Sequence, residues 1–189
     1  MIRSFRLAEA LTLANGCCGV AAIFRAMRFI ESGEDRVLWG AATFVLLAAI
    51  FDFFDGRVAR RRHTNSPMGR EMDSLADLIS FGAAPAAIAY AAGLRSTLDQ
   101  AMLIFFAACG LSRLARYNVT ADELAAETGK VKYFEGTPIP SSIVPLALLM
   151  IAFQARWLRP SPLGFHLISL LFVISGSLMI SKTLHIPKP

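Results

Sequence analysis

Charge is scarce in this chain. Only 17% of its 189 residues are Asp, Glu, Lys or Arg, while 55% are apolar, a balance that excludes an ordinary soluble domain. Cysteine is nearly absent: Cys17, Cys18 and Cys109 all lie in apolar stretches, so a disulfide framework is excluded and they read as small buried hydrophobes. Of the three histidines, His63 reads as solvated, His166 as packed or interfacial, and His185 has no evident role. No residue presents itself as a covalent nucleophile. There is no internal repeat, low-complexity tract or second domain, so residues 1–189 are expected to form one membrane domain. The first apolar run is interrupted by Asn15 and Gly16 and carries no A-x-A site, which argues against a removable signal peptide. The net charge of +5 comes from basic residues placed between apolar runs rather than along a polar face. That pattern argues against nucleic acid and for phospholipid headgroups and anionic substrates.

What the chain has in abundance is apolar length. Six stretches, near 7–27, 38–58, 72–92, 98–117, 138–155 and 163–181, approach the roughly 20 residues that cross a bilayer as a helix. The expected fold is therefore an all-α integral membrane protein with six transmembrane helices and both termini on one side. With those termini inside, thirteen of the nineteen lysines and arginines fall on inner segments and six on outer ones. The positive-inside bias makes the termini cytoplasmic, in the cell (inner) membrane. Residues 1–8, with Arg3 and Arg6 beside Ile2, Phe5 and Leu7, suit a short interfacial segment. The longest polar connections, 60–71 and 118–137, fall on the cytoplasmic face.

Against this background four aspartates stand out. Asp52 and Asp55 close the second apolar run, and Asp73 and Asp77 lie in the third. Acids at such depth are costly and are by default paired, metal-bound or water-facing. Spacings of three and four put each pair on one face of a helix, and two such helix ends brought together form a cage of carboxylates. Their mutual repulsion calls for divalent cations, and an all-oxygen ligand set points to Mg²⁺ or Mn²⁺. A pair of ions about 3.5–4 Å apart would suit in-line displacement at a phosphoryl group. Gly56 and Gly69 leave room for close approach to a bound group, Ala59 keeps the surface between them small, and Arg60 offers a bidentate fork to a diphosphate.

The run Asp52-x2-Asp55-Gly56-x2-Ala59-Arg60-x8-Gly69-x3-Asp73-x3-Asp77 matches the signature of the CDP-alcohol phosphotransferase family in full. The resemblance implies a six-helix membrane enzyme, usually a homodimer, that moves a phosphatidyl-type group from a CDP-linked lipid to an alcohol and releases CMP. The segment from Ser66 through Asp77 to Ala86, the run Arg113-Leu114-Ala115-Arg116-Tyr117-Asn118 and the run Phe134-Glu135-Gly136-Thr137-Pro138-Ile139-Pro140 resemble the family's phosphatidylserine synthase branch. That branch implies CDP-diacylglycerol and L-serine as substrates. One departure is Ala10-Leu11 ahead of Thr12-Leu13-Ala14-Asn15, where the branch commonly has a proline.

The resemblance carries roles with it. Asp52, Asp55 and Asp73 would hold one or two metal ions against the diphosphate. Asp77, the fourth residue of the metal site, would border those ions and also act as general base on the acceptor hydroxyl. Thr12, Asn15, Gly56, Ala59, Arg60 and Gly69 are candidates for the CDP-lipid. A zwitterionic acceptor needs a cation for its carboxylate; Arg113 and Arg116, one helical turn apart, are candidates, with Lys130 and Lys132 in support. Glycerol 3-phosphate or an inositol phosphate would also want basic residues, so charge alone leaves those acceptors open. A cation- or proton-coupled transporter is the rival class, but the acids cluster at one end and the later stretches carry almost nothing ionisable.

Overall fold

The structure, a computed structural model, describes residues 7–62, 67–127, 133–158, 164–181 and 185–187. Helix α1 (Leu7–Ser32) ends where Gly33 takes φ +67° and its N–H donates to the Phe29 carbonyl at 2.9 Å, a left-handed stop that glycine adopts without strain. Helix α2 (Asp35–Arg62) then returns along α1, and among the described residues these two helices pack against each other most extensively. With alanine and leucine where the branch has its proline, α1 runs unbroken from Leu7, so Leu7 and Ala8 belong to that helix. Residues 1–6 of the expected interfacial segment lie outside the described residues.

The third rod has three parts: α3 (Pro67–Asp77), a π-helical turn (Leu78–Ala83) and α4 (Ala84–Ala92). The widening has a local cause. Pro85 has no N–H, and its ring crowds the carbonyl four residues back; the turn relaxes, and the N–H of Ala84 reaches five residues back to Ile79. Helix α5 (Thr97–Glu127) is longer than the stretch 98–117 foretells. Its extension through Ala121, Glu123, Leu124 and Ala125 is rich in strong helix formers, so half of the expected loop 118–137 is helix.

Four helical stretches, Glu9–Ser32, Asp35–Arg57, Met68–Ala92 and Thr97–Val119, are long and apolar enough to cross a membrane. The last two predicted spans are shorter. A 3₁₀ turn (Ile139–Ser142) leads into α6 (Ile143–Gln154), and α7 covers Ser169–Ile180; twelve residues rise only about 18 Å. Pro138 and Pro140 delay the start of α6, and residues 164–168 form a turn rather than the first coils of α7. A two-stranded ribbon also forms, β1 (Tyr133–Glu135) antiparallel to β2 (His185–Pro187) with Phe134 opposite Ile186. It was not foreseen. Beside it, Gly136 at φ +74° lies so close to the Met179 carbonyl that no side chain fits there.

Phe81, Phe106, Phe172, Ile88 and Leu149 form the buried centre, with Phe106 and Phe172 edge to face at 5.3 Å. Outward residues are equally apolar: Ile104 is 69% and Phe24 65% exposed, as a lipid-facing surface requires. The helices are tied at both ends. At one, Arg156 pairs with Asp35 at 2.9 Å and Trp39 donates to Gln154 at 3.2 Å. At the other lie all four aspartates.

Candidate active site

Three helices bring the acids together. The C-terminal half of α2 carries Asp52 and Asp55, α3 carries Asp73 and Asp77, and the first turns of α1 supply two neutral polar partners. Thr12 donates its hydroxyl to Asp55 Oδ2 at 2.9 Å. Asn15, one turn on, donates its amide to Asp77 Oδ1 at 2.9 Å. Both are buried, as are Asp55 and Asp77; Asp52 and Asp73 are half-buried.

Asp52, Asp55 and Asp73 each bring a carboxylate oxygen within 4.8 Å of the others, close enough to hold a metal ion. Asp77 stands outside that trio, with one oxygen committed to Asn15. The donor set fits a hard divalent cation: it consists of carboxylate oxygens, and Asp73 Oδ1 is buried without a hydrogen-bond partner among the described residues. Such an orphaned acceptor is costly unless a cation or donor meets it.

Close packing of α1 on the third rod sets this geometry. A Cβ built on Gly16 would meet Ala76 Cβ at 3.4 Å, and one on Gly19 would fall 2.8 Å from Ser80 Cα. Small residues at these points let the backbones approach, as in membrane helix pairs generally. Ser80 then donates its hydroxyl to the Asn15 carbonyl at 2.9 Å. This contact went unforeseen, although Ser80 lies three residues after Asp77 and shares its side of the rod.

Gly56 sits within α2, and a Cβ built there meets no atom within 4 Å. Packing within the chain therefore does not demand glycine, and open space lies beside the acids. Gly69 lies in the first turn of α3, not in a loop. Ala59 and Arg60 are in the last turns of α2, but their side chains lie outside the described residues, as do Lys130 and Lys132 altogether. An apolar groove of about 510 Å³ runs between α1 and α3, from Thr12 and Met72 past Gly16 and Leu75 to Val20 and Ile79.

On the other flank is α5. Arg113 is half-buried, within electrostatic reach of Asp52 and Asp77, and its guanidinium lies over the Tyr117 ring at 5.8 Å. Its Nε is buried without a hydrogen-bond partner among the described residues. Arg116 points elsewhere: its Nη1 donates to the Ile180 carbonyl at 3.2 Å, closing the last turn of α7. The expected pair of acceptor arginines is thus divided, with Arg113 at the acids and Arg116 engaged with α7. His166, at the far end of the molecule, pairs with Asp99 at 2.7 Å.

Residues 5–180 match the family model described as CDP-alcohol phosphatidyltransferase. A CDP-diacylglycerol–serine O-phosphatidyltransferase of Saccharomyces cerevisiae is 45% identical, covering all of this chain and 73% of the yeast protein. Proteins of the same name from Methanocaldococcus jannaschii and Mycobacterium leprae are 37% and 34% identical, each over 80% of this chain and over 66% and 49% of their own lengths. The chain thus spans about half the length of the mycobacterial relative. No solved structure matches.

Proposed function

The chain belongs to the CDP-alcohol phosphatidyltransferase family, and from that premise we propose that it transfers a phosphatidyl group from CDP-diacylglycerol to the hydroxyl of L-serine. The products are phosphatidylserine and CMP. The observation that carries this reading is the meeting of Asp52, Asp55 and Asp73 within 4.8 Å beside an Asp77 held separately by Asn15. One arrangement thereby offers both a cation site and a distinct carboxylate. The names of the relatives favour serine over glycerol 3-phosphate or an inositol phosphate.

In this reading Asp52, Asp55 and Asp73 hold Mg²⁺ or Mn²⁺, two ions in all. When bound, these ions neutralise the diphosphate and polarise the phosphorus under attack. Asp77 takes the proton of the serine hydroxyl as its oxygen bonds to the lipid-linked phosphorus. The bond from that phosphorus to the CMP oxygen breaks, and CMP leaves with the electron pair. Asn15 keeps Asp77 aimed, and Arg113 receives the serine carboxylate. Gly56 leaves space for the cytidine diphosphate, with Arg60 and Gly69 at its border, and the apolar groove beside Thr12 takes the lipid tails. The site faces the cytoplasm of the inner membrane in a homodimer, the sidedness resting on the lysine and arginine count.

The test is CMP release by purified protein in detergent with CDP-diacylglycerol and Mg²⁺ or Mn²⁺, offering L-serine, glycerol 3-phosphate and inositol phosphate separately. Release requires serine and disappears in the Asp77→Asn variant. Release driven by a phosphorylated polyol overturns the acceptor assignment; none with any alcohol overturns the reaction and reopens the transporter reading. Direct displacement also inverts a chirally labelled phosphorus, and retention would contradict it.

A further inference from the structure

The motif that begins at Arg113 ends at Asn118, a residue that the proposed chemistry leaves without a task. Its side chain is engaged at both ends. Asn118 Nδ2 donates to Glu71 Oε2 at 3.1 Å, and Asn118 Oδ1 accepts the Ser74 hydroxyl at 3.2 Å. Both partners lie on α3, and Ser74 sits between Asp73 and Asp77. Helix α5 packs chiefly on α7 and the π-helical turn and meets α3 over a narrow contact. This amide is therefore a polar link from the end of α5 that bears Arg113 and Tyr117 to the helix that bears Asp73 and Asp77.

Only a side chain that both donates and accepts can make this link. An aspartate would set a second carboxylate against Glu71, and an aliphatic residue would break both hydrogen bonds, leaving Glu71 to solvent. The two hydrogen bonds are to points three residues apart on α3, so sliding or rotating one helix against the other breaks both. Arg113 lies five residues from Asn118, about one and a half turns, and is within electrostatic reach of Asp77 and Asp52.

We propose that Asn118 is a positioning residue for the acceptor, setting the distance between the Arg113 guanidinium and Asp77 by locking α5 to α3. It touches neither the reacting atoms nor the CDP-lipid. The inference rests on the reading of Arg113 as the partner of the serine carboxylate.

The experiment compares Michaelis constants for L-serine and for CDP-diacylglycerol, in detergent with Mn²⁺, in the wild-type chain and in Asn118→Ala. The KM for serine rises about tenfold, kcat falls less, and the KM for the lipid and the thermal midpoint stay as they were. Ser74→Ala shifts the serine KM in the same direction, and its combination with Asn118→Ala adds little, because both remove one link. The pair Asn118→Asp with Glu71→Gln restores a donor facing an acceptor and recovers the serine KM, whereas Asn118→Asp alone does not. An unchanged serine KM in Asn118→Ala, while the wild type turns over serine normally, overturns this inference and leaves the proposed function standing. Both KM values rising together with a lowered thermal midpoint overturns it in favour of a structural role. A wild-type chain that does not use serine removes both.

Discussion

Asn15 grips the third helical rod twice, its amide donating to Asp77 at 2.9 Å and its own carbonyl accepting Ser80 Oγ at 2.9 Å. The two bonds lie three residues apart on that rod, at the junction of α3 and its π-helical turn. Asp77 therefore keeps one oxygen occupied and one without a hydrogen bond among the described residues, and its orientation depends on α1 rather than on its own helix.

Replacing Asn15 with alanine removes the amide but not the backbone carbonyl, so Ser80 keeps its partner while Asp77 turns free. A hydrogen bond to a charged group is worth about 1.5–3 kcal/mol, and turnover is expected to fall roughly ten- to a hundredfold. Cation affinity is expected to hold, because Asp52, Asp55 and Asp73 keep their places. Rates of CMP release alongside Mn²⁺ titration check this; a parallel loss of Mn²⁺ binding would count Asp77 among the ligands.

Thr12 orients Asp55 in the same manner. Thr12→Val keeps the shape and removes the donor, and Mn²⁺ affinity is expected to fall by an amount of order 1 kcal/mol, about fivefold. Thr12→Ser is expected to retain most of it. Titration of both variants by electron paramagnetic resonance distinguishes the hydroxyl's contribution from the packing of the methyl group.

At Gly19 there is no space for a side chain, since a Cβ would lie 2.8 Å from Ser80 Cα and 2.9 Å from its N. Gly19→Val must push α1 away from the π-helical turn. A cost of about 1–3 kcal/mol is typical of overpacking, and the Asn15 contacts to Asp77 and Ser80 go with it. A lowered thermal midpoint together with reduced turnover is expected; unchanged values of both would show that the helices part without consequence.

Far from the acids, Asp99 is fully buried. It accepts bonds from the backbone N–H and Oγ of Ser96, from the His166 N–H, and lies 2.7 Å from His166 Nδ1. It thereby caps α5 and anchors the turn before α7 at once. Asp99→Ala strands those partners at about 1–3 kcal/mol for each buried group. The thermal midpoint is expected to drop while the KM values for serine and CDP-lipid remain, and a changed serine KM would mean that this end of the bundle reaches the site.

Much of this was legible in the residues themselves. Apolar length located the four long helices, and the spacing of Asp52, Asp55, Asp73 and Asp77 announced a carboxylate cluster before any coordinate. The ends were less legible. Asn118 looked like the start of a loop because polarity rises there, yet helix propensity carries α5 through to Glu127. The stretches 138–155 and 163–181 looked like full spans because hydropathy does not register that proline and a turn shorten them.

What the sequence alone determined was the chemical inventory: a set of acids in apolar stretches, their grouping in pairs on two helices, and the family to which that pattern belongs. These are local properties, set by residue type and by the 3.6-residue period. Only tertiary structure decided the assignments within the inventory. It drew three of the four aspartates into one cluster and left Asp77 to Asn15. It kept Arg113 within electrostatic reach of the acids and engaged Arg116 with α7, although both belong to one motif. Those outcomes depend on how closely α1 approaches Ser80 and where α5 meets α3, distances fixed by small side chains on helices far apart in the chain.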